Sequence, residues 1–188
     1  TKQLSKDKAT ICIEHKLCNL TDKEQKGMKT TYTIYPVRLY SDETGDAVSQ
    51  FKTEELELKP KVKVSNYKSK TVFNILSPQL WSAEAPYRYV LVAELRDKKG
   101  RRRDCTSTYF GIRTVEMRDT EAKDDEFGLA GRYFYVNGKP VKLKGVNRHE
   151  TNPSTGHAIT REQMTEEVML MKRGNINHVR LSHYSNDP

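Results

Sequence analysis

Arg132 to Pro188 reads RYFYVNGKPVKLKGVNRHETNPSTGHAITREQMTEEVMLMKRGNINHVRLSHYSNDP, and the fold turns on this stretch. Asn137-Gly138 is the strongest short-range hairpin dipeptide, so Arg132–Val136 and Val141–Val146 are expected as its two arms. Thr160 and Gln163 have capping-box spacing, with Thr160 as N-cap. Met164, Val168 and Met171 follow at i, i+4 and i+7, one apolar helix stripe, with Met169 as a gap-filler. Gly174 suits the C-cap, and Ile176 to Leu181 is a short apolar strand. The result is a strand–helix–strand unit whose strands both end in polar clusters: Gly145-Val146-Asn147-Arg148-His149-Glu150 and Arg180-Leu181-Ser182-His183-Tyr184.

Such a crossover builds a parallel sheet, which needs cover on both faces. A barrel of eight such units takes about 250 residues, far more than follow the first strand here. The segment is therefore expected to be the first strand–helix–strand of a truncated (β/α)8 barrel. Active sites of that fold lie at the C-terminal strand ends. His149 and His183 should then face one pocket, with Arg180 aligned with Ser182 by strand alternation. An Arg and two His around a cleft can donate hydrogen bonds to hydroxyls or orient a carboxylate. The competing reading makes each histidine an ordinary loop or capping residue. A metal site of His149, Glu150 and His183 fits no strong template. His157, His15 and His178 read as surface or packing residues. No Ser-His-Asp, phosphate-loop or dinucleotide pattern occurs.

Upstream, residues 119–131 are polar and aperiodic and read as a linker. Residues 1–118 have the grammar of an all-β domain, with Thr10–Cys18, Thr30–Tyr40, Thr71–Leu76, Tyr87–Asp97 and Asp104–Phe110 as strands. Asp97-Lys98-Lys99-Gly100 is expected to join two of them as a hairpin, and Asp42 to Asp46 to form another turn. About seven strands suit an immunoglobulin-like β-sandwich. Trp81 sits in a Pro-punctuated stretch and is expected to plug one end of that sandwich. The fold class is thus mainly β: a sandwich over 1–118, a linker over 119–131, and the N-terminal part of a barrel over 132–188.

Composition narrows the partners. No apolar run reaches the roughly 20 residues of a membrane-spanning helix, and no leader is visible at the N-terminus, so no membrane partner is expected. The net charge of +8 is scattered rather than clustered. Lys59, Lys61 and Lys63 alternate with Val62 and Val64 on one strand, and Lys68, Lys70 and Arg101 to Arg103 add to the excess. No aromatics interleave with these charges, so they read as a solvated, pairing-resistant face rather than a nucleic-acid site. Cys12 and Cys18 would share a strand face too far apart to bond, and Cys105 could pair with only one of them. Free, mostly buried thiols are expected, which favours a cytoplasmic over a periplasmic setting.

The motifs LSPQLWSAEAPYRY, FGIRTVEMRD, FYVNGKPVKLKGVNRHE and LMKRGNINHVRLSHYSNDP resemble glycoside hydrolase family 2, most of all its bacterial β-galactosidases. The resemblance runs from about Thr71 to Pro188. It implies a modular retaining glycosidase acting through an acid/base Glu and a nucleophilic Glu. Neither falls at Glu150, and both lie beyond Pro188, so these residues alone should be inactive. By the same resemblance His149 and His183 contact sugar hydroxyls, Arg180 orients the nucleophile, and Asn147, Arg148 and Glu150 support them. The implied Mg²⁺ of the parent also uses residues beyond Pro188, so no metal is expected here. The partner is a β-galactoside, and the parent is expected to be a homo-oligomer. Relatives that cleave glucuronides tend to carry Lys where this chain has Arg148, which favours a galactoside. Ser185 replaces the family's usual proline after SHY and loosens that loop. The alternatives are a β-glucuronidase or β-mannosidase of the same family, or a non-catalytic immunoglobulin-like binding module.

Overall fold

The structure is a computed structural model that describes residues 3–5, 7–53, 55–58, 67–125 and 127–186, with side chains left aside at Gln3 and at 67–70. The alternating Lys59, Lys61, Lys63 stretch and the side chains of Lys68 and Lys70 lie outside the described residues. Two compact units emerge, Thr1–Thr114 and Val115–Pro188.

The first unit is a sandwich of two antiparallel sheets. One holds β1 (Gln3–Leu4), β2 (Lys8–Leu17) and β6 (Tyr67–Leu76) in the order β1-β2-β6. The other runs β4 (Ser49–Lys52), β3 (Gln25–Val37), β7 (Arg88–Arg96), β8 (Arg102–Phe110), with β5 (Leu56–Leu58) pairing β3 off that path. The core follows from alternation, since every second side chain of a strand faces the same way. Ala9 and Ile11 of β2 and Phe73 and Ile75 of β6 meet Tyr32 and Ile34 of β3 and Tyr89 of β7, joined by Ile112. Tyr32 and Ile34 are completely buried. Tyr32 meets Phe73 edge to face at 5.9 Å, the geometry aromatic quadrupoles prefer, and its hydroxyl bonds His15 Nδ1.

Trp81 is held by local contacts. It forms an isolated bridge with Pro86, its amide donates to Ile112 O at 2.9 Å, and the Arg113 guanidinium lies 4.1 Å over its ring. The Asp97–Gly100 hairpin also forms: Gly100 takes φ +77°, and the Asp97 amide donates to Arg101 O at 3.0 Å.

The second unit opens with β9 (Val115–Thr120), β10 (Gly131–Val136) and β11 (Lys139–Val141), an antiparallel sheet in the order β11-β10-β9. Asn137 and Gly138 have φ of 51° and 76°, the double positive φ that a tight hairpin turn demands. Next come β12 (Gly145–Arg148), the helix α1 (Arg161–Arg173) and β13 (His178–Leu181). β12 and β13 pair in parallel with Gly145 opposite His178 and Arg148 opposite Leu181. This is the expected crossover, and with the sandwich it gives the mainly β architecture of a sandwich followed by the first strand–helix–strand of a (β/α)8 barrel.

The helix ends obey their local signals. Thr160 Oγ1 accepts from the Gln163 amide at 3.3 Å while Gln163 Oε1 accepts from the Thr160 amide at 2.9 Å. At the other end Ile176 N donates to Met171 O at 3.0 Å and Asn175 N to Lys172 O at 3.1 Å, a Schellman closure. Its left-handed residue is Asn175, φ 54°, one place beyond the glycine C-cap.

Several expectations need correcting. Val141–Val146 is not one hairpin arm: β11 stops at Val141, and Gly145 starts a strand in a different sheet, because β12 finds its partner 33 residues downstream rather than across the turn. The units divide after Thr114, not at 118, since Val115–Thr120 pairs with β10. Residues 119 and 120 therefore close β9, and Ala122–Asp124 forms a 3-10 turn inside the span read as a linker. Cys18 lies just past β2 and, like Cys105, is exposed, while Cys12 is half-buried and all three are free. On α1, Met164 and Met171 are half-buried but Val168 is 58% exposed.

Candidate active site

Both ends of the two parallel strands are tied by hydrogen bonds. At the N-terminal ends Asn177 acts as a clip: its Oδ1 accepts from the Lys144 amide at 2.8 Å and its Nδ2 donates to Lys142 O at 3.0 Å. At the C-terminal ends the Ser182 amide donates to Arg148 O at 2.9 Å, so pairing continues one residue past β13. His149 and His183 emerge from this junction as neighbours. Their rings meet edge to face with centroids 5.6 Å apart.

Two further aromatics extend the pair. Tyr184 lies 6.1 Å from His149, and His157 lies 5.6 Å from Tyr184. The Tyr184 hydroxyl accepts from the Glu150 amide at 3.1 Å, and His157 Nδ1 lies 3.0 Å from Glu150 O. A carbonyl only accepts, so His157 Nδ1 is the donor in this contact. His149, His183, Tyr184 and His157 are all exposed. They form a ridge of imidazole and phenol groups able to meet hydroxyls from several directions.

Arg148 points away from this ridge. Its side chain is 11% exposed. Nε donates to Glu167 Oε2 of α1 at 2.7 Å, and Nη1 donates to Glu150 Oε2 at 3.1 Å and to Asn186 Oδ1 at 2.8 Å. Nη2 also lies 2.7 Å from Glu167 Oε2, an ion-pair contact without hydrogen-bond geometry. Burial works against the guanidinium charge, but the bonds to Glu167 and Glu150 outweigh it and hold Arg148 above the usual arginine range. The helix therefore covers the Arg148 face of β12. By alternation Asn147 and Arg180, opposite each other in register, belong to the other face, and both are exposed.

The structure thus brings His149 and His183 together and puts Asn147 beside Arg180. Arg148 and Glu150 join an ion-paired cluster behind the ridge. His157, read from the sequence as a surface or packing residue, is exposed but belongs to the ridge. Tyr184, Glu167 and Asn186 were not singled out. Tyr184 sat in the polar cluster after the second strand and was legible as part of it. Nothing in the spacing marks Glu167 or Asn186. Among the described residues no group of three or more His, Cys, Asp or Glu is placed to hold a metal ion.

The arrangement is a sandwich followed by a parallel strand–helix–strand unit, with two histidines in ring contact at its strand ends. The description "Glycosyl hydrolases family 2, TIM barrel domain" matches residues 127–188, and "Glycosyl hydrolases family 2" matches residues 1–113. The chain belongs to glycosyl hydrolase family 2. Among curated relatives it is 39% identical over 153 residues to a β-galactosidase of Pseudoalteromonas haloplanktis, covering 76% of this chain and 14% of that protein. It is 41% identical over 111 residues to a β-galactosidase of Halalkalibacterium halodurans, covering 59% of this chain and 10% of that one. Among solved structures, a β-glucuronidase of Bacteroides uniformis superposes with TM-score 0.78 at 28% identity over 99% of this chain and 20% of its own. A family 2 member from Bacteroides cellulosilyticus, at 24% identity, shares the fold with TM-score 0.75 over 99% of this chain and 21% of its own. The chain therefore spans only a small part of the length of these relatives.

Proposed function

We propose that this chain supplies the sandwich and the first sugar-binding elements of a retaining glycosidase that hydrolyses terminal β-galactosides. The observation that carries the reading is the pairing of His149 and His183 at the C-terminal ends of adjacent parallel strands, 5.6 Å between rings. In this reading the two imidazoles hydrogen-bond sugar hydroxyls. Arg180, on the face of β13 away from the helix, orients the nucleophilic carboxylate. The family chemistry uses two carboxylates, one as acid/base and one as a nucleophile that forms a covalent glycosyl intermediate. Both are assigned to segments outside these residues, and these residues alone should turn over nothing. The β-galactosidase names of the curated relatives favour the galactoside. The glucuronidase superposition keeps the glucuronide as the main rival. Arg148 bears on that choice only indirectly, because its guanidinium is taken up by Glu167, Glu150 and Asn186.

The test is turnover of nitrophenyl β-galactoside, β-glucuronide and β-mannoside by this chain extended through a complete barrel. Preference for the galactoside is expected. His149→Ala or His183→Ala should lower kcat/KM roughly 10²-fold or more, the scale of losing a hydrogen bond that tightens in the transition state. Preference for glucuronide or mannoside would move the substrate and keep the family. Turnover of the galactoside by residues 1–188 alone would overturn the placing of the carboxylates.

A further inference from the structure

We infer that Arg148 is a positioning residue, whose guanidinium, clamped between Glu167 of α1, Glu150 and Asn186, sets the relative placement of the His149 and His183 rings. The inference rests on the proposed sugar-binding role of those histidines for its functional consequence, not for its geometry. Arg148 is the residue immediately before His149, and Asn186 lies three residues after His183. One side chain thus reaches the segments carrying both imidazoles and anchors them to the helix. The three acceptors come from three different parts of the chain, at 2.7 Å, 3.1 Å and 2.8 Å. Packing alone gives α1 little grip, since no helix residue is buried. The rigid fork of a guanidinium can hold three acceptors at fixed angles, whereas an ammonium is a point charge on a flexible stem. Glu150 doubles the restraint. Its carboxylate bonds Arg148 while its amide and carbonyl hold Tyr184, whose ring meets His149, and His157, whose ring meets Tyr184.

The test reads geometry in the chain as it exists. In nuclear Overhauser spectra the wild-type chain should show cross-peaks between ring protons of His149 and His183. Arg148→Ala should lose them while the circular dichroism of α1 and the sandwich signals persist, and added guanidinium ion should restore them. Arg148→Lys should restore them incompletely. Cross-peaks unchanged in Arg148→Ala would overturn the inference. If that variant unfolds residues 115–188, Asn186→Ala decides, because it leaves the Arg148–Glu167 pair intact. Loss of the cross-peaks with the helix retained supports the clamp, and their persistence overturns it. The spectra contain no sugar, so they judge the clamp alone. A galactose titration that leaves the imidazole signals of the wild-type chain unmoved would instead count against the sugar-binding reading.

Discussion

The sandwich and the strand–helix–strand unit draw on the same residue types and bury them very differently. In the first, Ala9, Tyr32, Ile34 and Ile112 are completely enclosed between two sheets. In the second, no residue of α1 and none of β13 is buried, and Val168, Leu170 and Leu181 are mostly exposed. A sandwich closes its own core because each sheet covers the other's apolar face. Two parallel strands with one helix cover a single face. Hydrogen bonds tie both ends of the second unit's parallel strands: the Asn177 clip at the N-terminal ends and the Arg148 cluster at the C-terminal ends. Stability therefore resides mainly in the sandwich, and the ridge residues sit where local opening costs least.

Hydrogen exchange is the most direct way to break this contrast. Amides of β3 and β7 should exchange slower than those of α1 and β13 by roughly a hundredfold or more, given the span from local to global opening; equal protection in both units would refute it. Next, Ile34→Ala should destabilise the first unit by roughly 2–5 kcal/mol, the usual cost of emptying a buried aliphatic site. Urea unfolding followed by Trp81, the only tryptophan, reads that unit selectively. The α1 signal should stay where it was.

Gly111→Ala should cost roughly 1–3 kcal/mol by overpacking. A Cβ there would lie 2.9 Å from both Cβ and Cγ of Trp81, so the ring must move and its emission should shift as the urea midpoint falls. On the other side of the comparison, Thr160→Ala removes the capping box and should cost about 1 kcal/mol. The loss should appear as reduced helical dichroism with the Trp81 transition unchanged. An effect on Trp81 would mean the units are energetically coupled.

The smallest effect expected is on pH. Burial beside Tyr32 holds His15 below its ordinary value of 6.5. Between the folded and unfolded values the unfolded chain binds the extra proton, so stability is lost as pH falls through about 6.5. The side chain is only partly buried, which keeps the loss small. The Trp81 urea midpoint should fall modestly from pH 7.5 to 5.5, and His15→Gln should flatten that dependence.

The parts of the fold that were legible are those whose hydrogen bonds close within a few residues. The Asn137-Gly138 turn, the Thr160–Gln163 box and the Asp97–Gly100 hairpin all formed where their residues placed them. The site was legible in part. His149 and His183 came together because both follow short strands joined by a helix, and parallel pairing fixes their neighbourhood. The role of Arg148 was not legible, since its partners Glu167 and Asn186 lie 19 and 38 residues away and no periodicity marks them. The break between Val141 and Gly145 was hidden too, because an apolar-polar alternation reads the same whether or not the strand changes sheets.

Sequence alone therefore determined the helix and its caps, the tight turns, the parallel crossover and the family, all of which rest on local geometry or on contiguous motifs. Tertiary structure decided which sheet each strand joined, which histidines share a ridge with Tyr184, and that Arg148 is bound to the helix rather than part of that ridge. Those outcomes depend on side-chain partners distant in sequence, and a hydrogen bond across such a distance exists only once the chain has folded.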